Sequence, residues 1–159
     1  MESFTYFVFA RVLHVIGVVL WIGGVAFVTT VLIPSLKNIN GSTNKLALFE
    51  QLEEKFSFQA KLATVVTGIS GFYMIDVMNA WDRYQHLQYW WIHLMTLIWF
   101  IFTLILFVFE PLFLHQWFHE QVIKDSTKIF SWIHTMHKIL LALSLLAVLG
   151  AIAGVHGLF

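Results

Sequence analysis

Two histidines, His14 and His93, each stand about one helical turn inside a long apolar run, behind Arg11 in the first case and Tyr89 in the second. An imidazole at that depth is costly to hold in hydrocarbon, so it marks an interior with chemistry to do. Two of them at matching depth on different helices are what a bis-histidine haem b requires, with His14 and His93 as axial ligands of the iron. His14, Gly17, Trp21 and Gly24 share one helical face, and the glycines leave room for a porphyrin plane. His93, Thr96, Phe100 and Thr103 form the equivalent stripe, where Thr96 can accept the second ring proton of a ligand histidine or bond its own backbone. Arg11, one turn outside His14, is placed for a haem propionate. Its plain alternative is a snorkelling interfacial arginine, as His93 has an interfacial one.

Four further histidines form a second group. His115 and His119 are spaced i, i+4 and His134 and His137 i, i+3, so each pair faces one way on a helix and suits a metal ion. The same residues, among Trp117, Trp132 and several lysines, also suit a wet membrane border. Met74 and Met78, again i, i+4, offer thioethers to Cu(I), or flexible packing. Glu110, just before Pro111, reads as a proton-handling carboxylate or a solvated helix end. With no cysteine in the chain, disulfides, thiolate metal sites and covalent c-type haem are excluded.

The elements that must position these groups are membrane spans. The chain is 59% hydrophobic and only 11% charged, a balance that water cannot solvate in 159 residues. Four runs, from about Phe7 to Leu32, Leu62 to Met78, Tyr89 to Phe113 and Ile129 to Val155, are long enough to cross a bilayer as helices. The expected fold is an all-α, four-transmembrane-helix bundle forming one domain over 1–159. The second run carries Thr64, Thr67, Ser70 and Asp76, so it faces its neighbours, and Ala60, Thr64 and Gly68 follow a spacing that permits close approach of another helix or a flat cofactor. Between the first two runs, Asn40-Gly41-Ser42 marks a turn. The segment at about 43–60 has Leu46, Phe49, Leu52 and Phe56 on one face, an amphipathic helix that lies at the membrane surface or extends the second span. The first run is too long and too poor in flanking positive charge for a cleaved signal peptide. Lys37, Lys45, Lys55, Lys61, Lys124 and Lys128 fall in the first and third connections, which places these in the cytoplasm and both termini outward.

Arg11-Val12-Leu13-His14, followed by Trp21-Ile22-Gly23-Gly24 and Pro34, resembles the opening helix of the copper resistance protein D (CopD) superfamily of small bacterial membrane proteins. The pattern is also similar to the HemJ family of haem-binding protoporphyrinogen oxidases, in which a first-helix His is followed by a Trp and a Gly. Tyr89-Trp90-Trp91-Ile92-His93 is similar to the HemJ third-helix His region, and Leu145 to Gly154 to the last helix of CopD-like chains. The resemblance implies a bacterial cytoplasmic (inner) membrane location and His14 and His93 as haem ligands. HemJ proteins carry a Lys two residues after the third-helix His, where this chain has Met95, a departure that bears on porphyrinogen oxidation.

The leading expectation is a haem-b membrane redox protein, either passing electrons between a quinol and a partner or oxidising a hydrophobic porphyrin. The alternatives are a copper-handling protein using Met and His, and an accessory subunit without its own cofactor. The partners implied are the lipid bilayer, a quinone or a redox protein, and, if the chain forms a homodimer, a second copy. Nine basic against nine acidic residues give no pull towards nucleic acid, and no nucleotide-binding loop or hydrolase triad is present.

Overall fold

A computed structural model of the chain describes residues 2–36 and 42–158, and within them every regular element is helical. Four helices are long and apolar enough to span a membrane: α1 (Phe4–Leu36), α2 (Ala47–Val77), α3 (Leu87–Leu112) and α4 (Thr127–Val155). Their outward faces expose large apolar side chains such as Phe9, Val19, Ile69, Leu97 and Leu149, a surface that lipid accepts and water does not. The chain is a four-helix transmembrane bundle. α1 packs along α2 and α3 along α4, and the two pairs close on each other around a core of Trp21, Ala63, Ile98, Phe102, Leu140 and Ala147.

The polar face of α2 is buried as its composition requires, with Thr64, Thr67 and Ser70 almost inaccessible. The helix begins at Ser42 and runs unbroken to Val77, about 54 Å at 1.5 Å per residue, so the amphipathic segment extends the second span. Phe49 of that segment meets Phe130 of α4 edge to face, ring centroids 5.5 Å apart, and joins Leu32, Ile33 and Leu36 of α1 in a second core cluster. Its apolar stripe is thus spent on the bundle. Asn40 and Gly41 of the expected turn lie outside the described residues.

Both prolines lie within helices. Pro34 follows a π-helical turn, Val28–Leu32, and the helix continues through Ile33–Leu36; Pro111 lies inside a π-helical stretch, Ile105–Leu114. A proline lacks an N–H and its ring crowds the carbonyl four residues back, and widening the helix to π geometry accommodates both. α4 starts at a sharp break. Asp125 leaves helical geometry (φ −156°, ψ 86°), and its Oδ1 accepts the Lys128 N–H at 3.0 Å, an N-cap that begins the last span.

Candidate functional site

His14 points from α1 into α2. Its Nδ1 lies 2.9 Å from the Thr67 carbonyl oxygen and 3.3 Å from Ser70 Oγ, and the ring sits over Gly71, where an added Cβ would come within 3.0 Å of Cε1. A carbonyl only accepts, so the proton belongs on Nδ1 and Nε2 keeps its lone pair. That is the arrangement of a ligand histidine whose second nitrogen is held by a backbone carbonyl. Nε2 has no hydrogen-bond partner among the described residues. Arg11, one turn away, is exposed and forms no ion pair among them.

His93 is held differently. Its Nδ1 lies 3.1 Å from the Tyr89 carbonyl and its Nε2 3.0 Å from the Tyr84 carbonyl, with the Tyr84 ring packed edge-on at 5.6 Å. Both nitrogens therefore face acceptors. Thr96, expected beside a cofactor, instead shares a 2.8 Å hydrogen bond with Tyr84 Oη, so the two residues pin the α2–α3 connection to the start of α3. The matching depth expected of His14 and His93 is also corrected. Gly68 of α2 receives the Trp99 indole, whose Nε1 donates to the Thr64 carbonyl at 2.9 Å. His14 is level with the overlapping Thr67–Gly71 segment, whereas His93 lies six residues nearer the end of α3 than Trp99, about 9 Å of helix. The two rings share no partner.

The room expected at Gly17 is filled. A Cβ there would stand 2.5 Å from Thr67 Oγ1 and 3.3 Å from the Ala63 carbonyl, so this glycine serves the close approach of α1 to α2. Gly24 is different: a Cβ would meet only the Phe56 ring, at 3.7 Å, and the residue borders open space. That space is a cavity of about 440 Å³ between all four helices, towards the end away from the chain termini. Trp21, the remaining residue of the expected haem face, forms part of its wall, packed edge-on against Phe102 at 5.0 Å; its buried Nε1 has no acceptor among the described residues.

Three polar side chains gather at the same cavity. Glu110, buried at 8% exposure, accepts from Ser57 Oγ at 2.5 Å and Lys61 Nζ at 2.7 Å. Ser57 and Glu110 line the cavity, and Lys61 closes the ion pair from behind. Glu110 is therefore not a solvated helix end, and Lys61 belongs to the bundle. Ser57 and Lys61 were invisible as partners in the sequence; their i, i+4 spacing on α2 was the one available signal.

Across the cavity, His137 donates Nδ1–H to the Ile133 carbonyl at 2.9 Å, which again leaves Nε2 as the lone-pair nitrogen. His134 turns the other way, with Nε2 3.0 Å from the Thr29 carbonyl of α1, so the i, i+3 pair serves two places. The side chains of His115 and His119 lie outside the described residues. No group of three or more His, Asp or Glu is gathered for a metal ion among the described residues. Met74 is half-buried and Met78 lies exposed in the turn after α2. For a haem, the donor chemistry fits at His14 and at His137; at His93 the iron would have to displace a backbone carbonyl.

The bundle and these sites define a multi-pass membrane protein with one imidazole held by a backbone carbonyl near the termini and one at the cavity between the four helices. No protein-family model, no curated protein and no solved structure matches the chain.

Proposed function

We propose that this chain is a membrane redox protein of the bacterial cytoplasmic membrane that carries haem b on His14, passing electrons between a lipid-soluble quinol and a partner protein, with both termini outward. The observation that carries this reading is the hydrogen bond from His14 Nδ1 to the Thr67 carbonyl, which presents the Nε2 lone pair of a half-buried imidazole one turn inside the exposed Arg11. Arg11 is the cation a propionate needs. When bound, haem supplies reversible one-electron transfer, while the chain supplies the ligand, its orientation by Thr67 and Ser70, and a dry surrounding. His93 and Thr96 act on this reading as braces for the connection that ends at Tyr89. The departure at Met95 favours electron transfer over porphyrinogen oxidation.

The test is the absorption spectrum of protein purified from cells with ample haem supply. A Soret band with reduced b-type peaks is expected. His14→Ala should lose it or turn it high-spin, while circular dichroism shows an unchanged helical content, and His93→Ala should keep the haem. A colourless wild-type protein would sink the redox reading, and if it held stoichiometric copper instead, copper handling would replace it.

A further inference from the structure

We infer that the cavity between the four helices is a binding site for the headgroup of a quinone, a neutral ring bearing an oxygen at each end and an apolar tail. This deepens the redox reading and rests on it for the purpose of the site, although the binding itself stands on the cavity alone.

The first argument is access. The wall includes Leu20, Phe109 and Trp132, all exposed and all within the spans α1, α3 and α4, so the cavity meets the bilayer-facing surface and its occupant comes from lipid. Its size, about 440 Å³, falls within the usual range of small-molecule sites, roughly 300–1,000 Å³.

The second argument is charge. Glu50 and Glu110 line the cavity and, among the described residues, no Lys or Arg does; Lys61 is already committed to Glu110. A ligand with carboxylates or phosphates, such as haem, a fatty acid or a phospholipid headgroup, would meet acidic neighbours in a low dielectric without a cation to offset them. The occupant is therefore neutral.

The third argument is the pattern of polar groups in an otherwise apolar wall. Trp21 lines the cavity with its ring, while its Nε1 is closed off within the packed core and offers the cavity no donor. His137 brings a lone pair, because its proton is held by the Ile133 carbonyl. A quinol hydroxyl donates to that lone pair, so the reduced state finds a partner in the wall. Trp21 and Phe102 supply the aromatic wall against which a flat ring packs. The two π-helical stretches, Val28–Leu32 and Ile105–Leu114, both contribute to this wall, and none of the close Gly–Trp contacts found elsewhere in the bundle reaches it.

Decylubiquinone titrated into the purified protein in lipid nanodiscs, followed by quenching of tryptophan fluorescence, tests the site. Saturable binding is expected. Gly24→Leu, which drives a side chain into the cavity, should weaken it more than about tenfold, and His137→Leu should weaken binding of the reduced quinol by up to about tenfold, the scale of one lost hydrogen bond. Decanol, with the tail but no ring, should compete poorly, a comparison that needs no variant to fold. The inference is overturned by absent saturation, by equal competition from decanol, by unchanged affinity in Gly24→Leu, or by loss of a haem spectrum in His137→Leu, which would make the cavity the haem's own site. A normal haem spectrum without quinone binding rejects the cavity site and keeps the haem; quinone binding by a colourless protein does the reverse.

Discussion

The two ends of the bundle are packed on opposite plans. Towards the termini, glycines receive tryptophans: a Cβ at Gly68 would stand 2.5 Å from the Trp99 indole, one at Gly150 would stand 2.5 Å from Trp90, and Gly154 lies still closer to the Trp91 ring. Every such socket is filled, and the helices are held at fixed distances. Towards the other end the helices widen into π geometry near Pro34 and at Pro111, a cavity remains, and a Ser57–Glu110–Lys61 network stands beside the apolar cluster of Leu32, Ile33, Leu36, Phe49 and Phe130. In a bilayer, water expulsion gives helices little reason to associate, so the packed end supplies the van der Waals complementarity that keeps the bundle together. The open end can then keep a space whose emptiness would otherwise cost stability.

The sharpest way to break this contrast is to overfill a socket. Gly68→Leu should destabilise the protein by about 1–3 kcal/mol, because the new side chain would take the space of the Trp99 indole, whose Nε1 bonds the Thr64 carbonyl. Gly23→Leu is the control: a Cβ there meets nothing within 4 Å, and the melting temperature in detergent should stay put. Equal melting of both variants would show that the Gly68 face is not a packed interface.

At the open end the largest effect should come from the ion pair. Lys61→Ala leaves Glu110 buried with only Ser57 to answer its charge. Breaking a fully buried pair from one side costs about 3–5 kcal/mol; Lys61 keeps 32% of its side chain exposed, so about 2 kcal/mol is expected. Lys61→Ala combined with Glu110→Gln should recover part of that loss. A double variant less stable than the sum of the two single changes would show that the network does not work as a pair.

The smallest effect belongs to the start of α4. Asp125→Ala removes the acceptor for the Lys128 N–H and should cost about 1 kcal/mol, with Asp125→Asn retaining most of the stability. Amide hydrogen exchange at Lys128 reads this directly, and unchanged protection in Asp125→Ala would mean that the break at Asp125 is held by something other than its cap.

Much of this protein was legible in the chain itself. The four spans follow from apolar length, a property that accumulates along the sequence and needs no partner, and the burial of Thr64, Thr67 and Ser70 follows from their sharing a face on a helix surrounded by lipid. His14 could be singled out for the same reason, since a lone imidazole inside an apolar run is costly wherever the run packs. The uses of the glycines could not be read this way. Gly17, Gly24 and Gly68 look alike in sequence, yet one admits a threonine of α2, one borders a cavity and one takes an indole, because each outcome depends on which side chain the neighbouring helix presents at that height. Depth misled for a related reason: counting residues from Arg11 and Tyr89 made His14 and His93 level, whereas the contacts of α2 with Trp99 set the relative heights of the helices. Which nitrogen of His14 carries the proton, that both nitrogens of His93 face acceptors, and that Glu110 meets Lys61 were decided only by the tertiary structure, since a hydrogen bond needs its partner within about 3 Å and these partners include groups from another helix or a folded-back turn.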